Sequence, residues 1–290
     1  MIGITGGSGV LGKCLIDVMN RKKIHNYNLF EGDITKKSEV KFWIDKNKDF
    51  DAIIHLAALV PLSIVSSNLT ESWKVNVLGS LYLIETLREA DRKIKFLYAS
   101  TSHVYKKSIK TLKEKSKVEP INFYGLSKLH AEQILKLLSE NSKIELIIAR
   151  IFSFTSIYQK PPFFIPTLIN KIATAPQDGI VQMGSLDAYR DFLDGHDVAN
   201  ALLLLLRNNV NGVFNICSNK PYYLRDIFLK AIKLLNRSDV ILKEMQPSKE
   251  HHYRLVGDNS RLNSLGFRPN LNNIDKILTN YINNYKSNIK

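Results

Sequence analysis

The 290-residue chain reads as a doubly wound α/β protein built on a parallel sheet, with a small C-terminal substrate-binding lobe. Three observations predict this. Short, almost wholly apolar runs recur as "MIGIT" (1–5), "DAIIHLAA" (51–58), "IKFLYAS" (94–100) and "IELIIAR" (144–150), the pattern of strands buried on both faces. Amphipathic segments near 10–21, 36–47, 71–90 and 123–140 alternate with them, as right-handed βαβ crossovers require. A glycine-rich turn, "TGGSGVLG" at 5–12, joins the first strand to the first helix.

In that turn Gly6, Gly9 and Gly12 are spaced three apart. Glycine lets the chain turn sharply, lets the backbone approach a pyrophosphate, and lets the helix pack closely on the strand. The helix N-terminus then offers N–H groups and a positive dipole to phosphates. The spacing differs from G-x-G-x-x-G, and the strand–loop–helix context is what gives it weight. An acid for the adenine ribose is expected roughly 20 residues on. Glu31 lies 19 residues after Gly12, and Asp33 follows in "EGDIT". Only one strand, near 26–31, fits before Asp33, so the second and third strands are merged or shortened. Lys36 or Lys37 is available to pair with a 2′-phosphate.

"STSHVY" (100–105) closes the run at 94–100, at the strand end where open α/β sheets bind ligands. That places Thr101 or Ser102 near the reacting end of a bound cofactor. "NFYGLSKLHAEQ" (122–133) sets Tyr124 and Lys128 four apart, on one face of a helix. A phenol titrating near ~10 is a poor acid–base group at neutral pH, and a neighbouring ammonium lowers that value by favouring the phenolate.

After residue 151 the pattern loosens, dividing the chain into 1–150, a dinucleotide-binding core, and 151–290, late sheet strands mixed with the substrate-binding lobe. "YQKPPFFIP", the helix-like "TLINKIAT", "GIVQMGS", a leucine-rich helix near 197–207, the strand "GVFNICS" (212–218) and a helix near 224–236 follow in order. Asp197 of "GHDVAN" reads as a helix N-cap. His55 reads as a strand-end residue close to the cofactor. His251 and His252 have no Cys or carboxylate at ligand spacing, so no metal is expected. His103 is either a proton relay or an uninvolved strand-end residue.

The net charge is +14. No basic run has the density of a nucleic-acid arm or the interleaved aromatics of a single-strand binder, so a solvated lysine surface and no nucleic acid are expected. No apolar run reaches the ~18 residues that cross a bilayer, and no export signal opens the chain. A cytoplasmic protein with Cys14 and Cys217 reduced is expected.

Taken together, "TGGSGVLG", "GDI", "HLAA", "VNVLGSLYLIETLR", "YASTSHVY", "YGLSKLHAEQ", "RDF…DVANALLLLL" and "LGFRP" fall in order across nearly the whole chain. This resembles the extended short-chain dehydrogenase/reductases, the NAD-dependent epimerase/dehydratase family with a Rossmann core. The later segments look most like the GDP-4-keto-6-deoxy-D-mannose reductases and related nucleotide-sugar reductases. The resemblance implies NAD or NADP as cofactor, a nucleotide-sugar substrate and a homodimer. It implies a catalytic triad of Thr101, Tyr124 and Lys128. It implies cofactor contacts at Gly6, Ser8, Gly9, Val10, Leu11, Gly12, Asp33, Ile34, Leu56, Ala57, Ala58, Asn76 and Ser100 besides Tyr124 and Lys128. Substrate contacts fall on Ser102, His103, Ser153 and Arg190, the last a guanidinium suited to a diphosphate.

Departures from the pattern are specific. Ser102 and His103 stand where related 4,6-dehydratases carry acids, which argues against dehydration. "RIFS" puts Ser153 in place of an asparagine. Lys106 replaces the glycine of "VYG". Gln246 replaces an arginine of the last lobe, with Arg254 available nearby. Three readings follow: reduction of a 4-keto nucleotide sugar, 4-epimerisation with tightly held NAD, and a non-catalytic Rossmann protein that binds RNA or a partner.

Overall fold

The computed structural model describes residues 1–60, 62–245, 253–271 and 273–287. Gln246, His251 and His252 lie outside the described residues. Six parallel strands form the central sheet: β1 (Ile2–Thr5), β2 (Tyr27–Leu29), β3 (Ala52–His55), β4 (Ile94–Thr101), β5 (Ile144–Ile151) and, five strands later, β10 (Gly212–Ile216). Their order is β10-β5-β4-β3-β1-β2. Against the usual order 3-2-1-4-5-6 the strand outside β2 is missing, in agreement with the single short strand read before Asp33, and β10 is added at the opposite edge.

Between the first five strands run α1 (Val10–Arg21), α2 (Lys37–Lys46), α3 (Leu62–Ser67), α4 (Leu69–Trp73), α5 (Gly79–Glu89) and α6 (Phe123–Ser139). The helix expected over 71–90 is interrupted by a π-helical turn at Lys74–Leu78. Such a turn is a common mark of a functional site, and here it carries Asn76. The strand expected over 51–58 stops at His55. Leu56 and Ala57 instead hang from Thr5, Leu56 N–H on its carbonyl at 3.1 Å and Ala57 N–H on its hydroxyl at 3.3 Å. The Leu56 bond is the last of the parallel ladder, and the ladder ends where Ala57 turns to the Thr5 side chain.

The later chain adds β6 (Ser153–Thr155), α7 (Phe164–Thr174), β7 (Ile180–Met183), β8 (Ala188–Arg190), β9 (Phe192–Asp194) and α8 (Gly195–Arg207). After β10 come β11 (Tyr222–Tyr223), α9 (Leu224–Leu235), β12 (Ile241–Glu244), β13 (Tyr253–Leu255), α10 (Ser260–Asn263) and α11 (Ile274–Ser287). One face of the sheet packs on α1 and α8, through Leu15, Met19, Val198 and Leu202. The other packs on α2, α5 and α6, through Ile44, Leu83 and Leu135. A separate core around Leu168, Val181, Phe228 and Ile277 holds the late lobe together.

Asp197 is not the cap of α8. Asp194 caps it, accepting the His196 N–H at 2.8 Å, because the chain turns out of β9 at that residue. Asp197 is buried in the first turn and accepts the N–H groups of Asn270 and Leu271 at 2.8 and 2.9 Å, which ties down the late loop. Both cysteines are buried free thiols. Among the described residues no helix is long and apolar enough to cross a membrane.

Candidate active site

The glycine loop is shaped by two contacts. Gly6 has φ +72°, and a Cβ there would lie 2.6 Å from the Ala57 nitrogen. A Cβ on Gly12 would overlap the Gly6 and Gly7 carbonyls. Gly9 is the N-cap of α1 and supplies no side-chain acceptor, so the first N–H groups of the helix face outward for an anion. Ser8 and Gly9 are exposed at the rim, with Val10 and Leu11 half-buried behind them. This cradle fits the pyrophosphate of a dinucleotide.

At the outer end, exposed Asp33 accepts the N–H and hydroxyl of Thr35 at 2.9 and 2.7 Å. Ile34 is buried against Gly79. Lys36 is paired with Glu39 at 2.9 Å and Lys37 with Glu85 at 3.0 Å. Asn76 is wholly buried, and its amide is bound to protein. Its Oδ1 accepts Leu59 N–H at 2.8 Å, and its Nδ2 donates to the Leu59 carbonyl and the Ser127 hydroxyl, both at 3.1 Å. It therefore clamps the "HLAAL" loop, with Leu56, Ala57 and Ala58, onto α6.

Thr101 is the last residue of β4 and Tyr124 lies in the first turn of α6, whose N-cap Asn122 accepts the Gly125 N–H at 2.8 Å. Burial pushes the Tyr124 phenol up to about 12, against the lowering influence of the neighbouring Thr101 hydroxyl. Lys128, one turn on, is buried with its Nζ 4.1 Å from the centre of the Tyr98 ring. Burial brings it down to about 7, against the opposing charge of Glu132. The phenol is thus not lowered as the Tyr/Lys spacing alone led one to expect. Desolvation is the largest influence on both groups and favours the neutral form of each.

The sequence reading missed the wall behind them. Arg150, at the end of the apolar run of β5, donates from Nε and Nη2 to Glu132 at 3.0 and 2.7 Å. The Ser100 hydroxyl donates to the same carboxylate at 2.5 Å. A charge near the buried tip of a mostly apolar strand was the readable signal, since buried charges are paired. His55 is fully enclosed, with Nδ1 2.6 Å from Thr5 Oγ1 and Nε2 2.9 Å from Ser80 Oγ, and burial takes it down to about 3.

On the substrate side, Ser102 is buried and His103 half-buried in the 3-10 turn after β4. The His103 ring meets Tyr124 edge-on at 5.9 Å, and the nearby positive charge of Arg190 helps burial hold it down to about 4. Ser153 opens β6, two residues beyond the Ile151–Thr101 pairing, so it shares the same strand-tip edge. Asp191 is buried, not at the surface. It accepts Ser218 N–H at 2.6 Å and Asn219 N–H at 2.8 Å. Arg254, in β13 beside β8, stacks 5.3 Å from the Tyr189 ring, and its buried Nε has no hydrogen-bond partner among the described residues. The described residues hold no group of three or more His, Cys, Asp or Glu placed to bind a metal.

The model of the NAD dependent epimerase/dehydratase family matches residues 2–217. The chain belongs to this family. It is 27% identical to the GDP-6-deoxy-D-talose 4-dehydrogenase of Aggregatibacter actinomycetemcomitans, over 91% of this chain and 90% of that one. It is likewise 27% identical to the GDP-6-deoxy-D-mannose reductase of Pseudomonas aeruginosa, over 92% and 91%. The fold is that of the Thermotoga maritima UDP-glucose 4-epimerase solved with UDP-glucose, with a TM-score of 0.89 at 19% identity, covering 100% of this chain and 99% of that one. The family is one of NAD(P)-dependent Rossmann enzymes, which supports an enzyme.

Proposed function

We propose that the protein reduces the 4-keto group of a GDP-linked 6-deoxy sugar, using NADH or NADPH. The carrying observation is the placement of Tyr124 and Lys128 one turn apart on α6, both buried, beside Thr101 at the tip of β4, with the phenol kept protonated by burial. The reduced nicotinamide, when bound, supplies the hydride. Tyr124 donates its proton to the oxygen that becomes the alcohol, Thr101 orients that oxygen, and Lys128 holds the cofactor ribose. The backbone N–H groups after Gly9 hold the pyrophosphate, and Asp33, Ile34 and the Leu56–Ala58 loop border the adenosine half. Arg190 and Arg254 serve the sugar diphosphate, for which the unpartnered Arg254 Nε leaves a donor; Ser102 and Ser153 contact the sugar. The GDP assignment is supported by the names of the two curated relatives.

In this reading residues 1–150 bind the dinucleotide and 151–290 close the sheet and carry the substrate lobe. The enzyme works in the cytoplasm without nucleic acid or membrane, as a homodimer packed through α5 and α6, where Leu126 and Leu137 are exposed. Mixing the protein with a GDP-4-keto-6-deoxy sugar and NADPH should consume one reductant per product. The epimerase fold favours a second reading, C4 oxidation and re-reduction on retained NAD. Purified protein that carries NAD and turns over a 4-hydroxy sugar with no added reductant would replace the first reading by the second.

A further inference from the structure

Asn122 has two partners, and the first dictates the chemistry of the second. As the cap of α6 its Oδ1 accepts the Gly125 N–H at 2.8 Å. An N–H can only donate, so the orientation of the amide is set, and the NH2 is the end that lies 3.1 Å from His103 Nδ1. An amide NH2 has no lone pair to offer. His103 Nδ1 must therefore be the bare, accepting nitrogen, and the proton of the neutral ring sits on Nε2. The rest of the surroundings hold the residue still. Its N–H donates to Thr101 Oγ1 at 3.2 Å, its carbonyl stands where a Cβ on Gly125 would overlap it, and its ring meets Tyr124 edge-on at 5.9 Å. The positive charge of Arg190 opposes a second proton on the ring.

We propose that Asn122 locks His103 as the Nε2–H tautomer, making His103 a fixed, neutral hydrogen-bond donor to an oxygen lone pair of the bound nucleotide sugar. Asn122 is then a positioning residue. A ring held this way cannot take a proton from carbon, so the position that is acidic in dehydratases serves recognition here. The proposal deepens the reductase reading and rests on it for the substrate.

The test separates the two. Nitrogen-15 NMR of the histidine rings in the free protein reads the tautomer without any substrate. Wild type should show His103 protonated at Nε2 alone. Asn122→Asp keeps the helix cap and offers Nδ1 an acceptor, so the ring should move its proton to Nδ1 or become doubly protonated. Asn122→Ser also keeps the cap and should release the tautomer to a mixture. In turnover, His103→Gln presents an amide N–H near the place of Nε2 and should retain kcat/KM within about tenfold. His103→Leu should lose about 10- to 100-fold, the worth of one buried hydrogen bond. An Nδ1–H ring in wild type overturns the lock. Equal rates for the Gln and Leu variants overturn the donor role. Wild type that reduces no 4-keto nucleotide sugar overturns the reaction and the substrate half of the proposal, while the NMR result still decides the lock.

Discussion

Two cations lie buried against successive turns of α6, and their surroundings treat them in opposite ways. Arg150 is gripped by both oxygens of Glu132, with the Ser100 hydroxyl completing the carboxylate, and it stays charged well above its ordinary range. Lys128 is as deeply buried but is given the face of the Tyr98 ring and the field of the same Glu132, and it falls to about 7. A buried charge with a bidentate partner is scaffold. One with less than a full set of partners is poised to respond to whatever binds beside it.

The largest expected effect comes from breaking the scaffold pair. Glu132→Gln leaves Arg150 charged and unmatched and should cost about 3–5 kcal/mol of folding stability, read by denaturant unfolding. A loss below about 1 kcal/mol would mean that the pair is not enclosed as described. Ser100→Ala removes one hydrogen bond to a charged group and should cost about 1.5–3 kcal/mol.

Next comes pH. The Lys128 ammonium exists in the cofactor-free protein below about pH 7 and is lost above it. Dinucleotide affinity should therefore weaken as pH rises through that value, by at most about tenfold per unit, and Lys128→Met should bind weakly with a flat profile. Stability runs the other way. The unfolded lysine keeps its proton up to about 10.4, so between about 7 and that value the unfolded chain holds the extra proton and wild type gains stability as pH rises. The smallest effect should come from Glu132→Leu with Arg150→Met, which removes both charges and should fall within about 1 kcal/mol of wild type.

The same contrast separates what the chain discloses from what it conceals. Tyr124 and Lys128 are legible because helical spacing alone puts them on one face, and the glycines because a turn and a close approach demand them. The sheet order, with its missing edge strand, follows from the shortness of the segment between α1 and Asp33. Glu132 lies inside the same stretch as Tyr124 and Lys128, yet nothing local pairs it with Arg150, 18 residues away across a strand. Partners of buried charges are set by packing, and so is the balance of desolvation that raises the Tyr124 phenol instead of lowering it. Asp197 looked like a cap because cap residues favour helix starts; Asp194, three residues earlier, fills that role where β9 ends.

The most direct measurement is single-turnover reduction of a GDP-4-keto-6-deoxy sugar by wild type and Tyr124→Phe, with cofactor affinity measured on both. Tyr124→Phe should slow the chemical step by about 10²- to 10⁴-fold and change the cofactor Kd less than about twofold, since a phenol that acts only as proton donor contributes little to ground-state binding. A variant that transfers hydride at the wild-type rate would contradict the account.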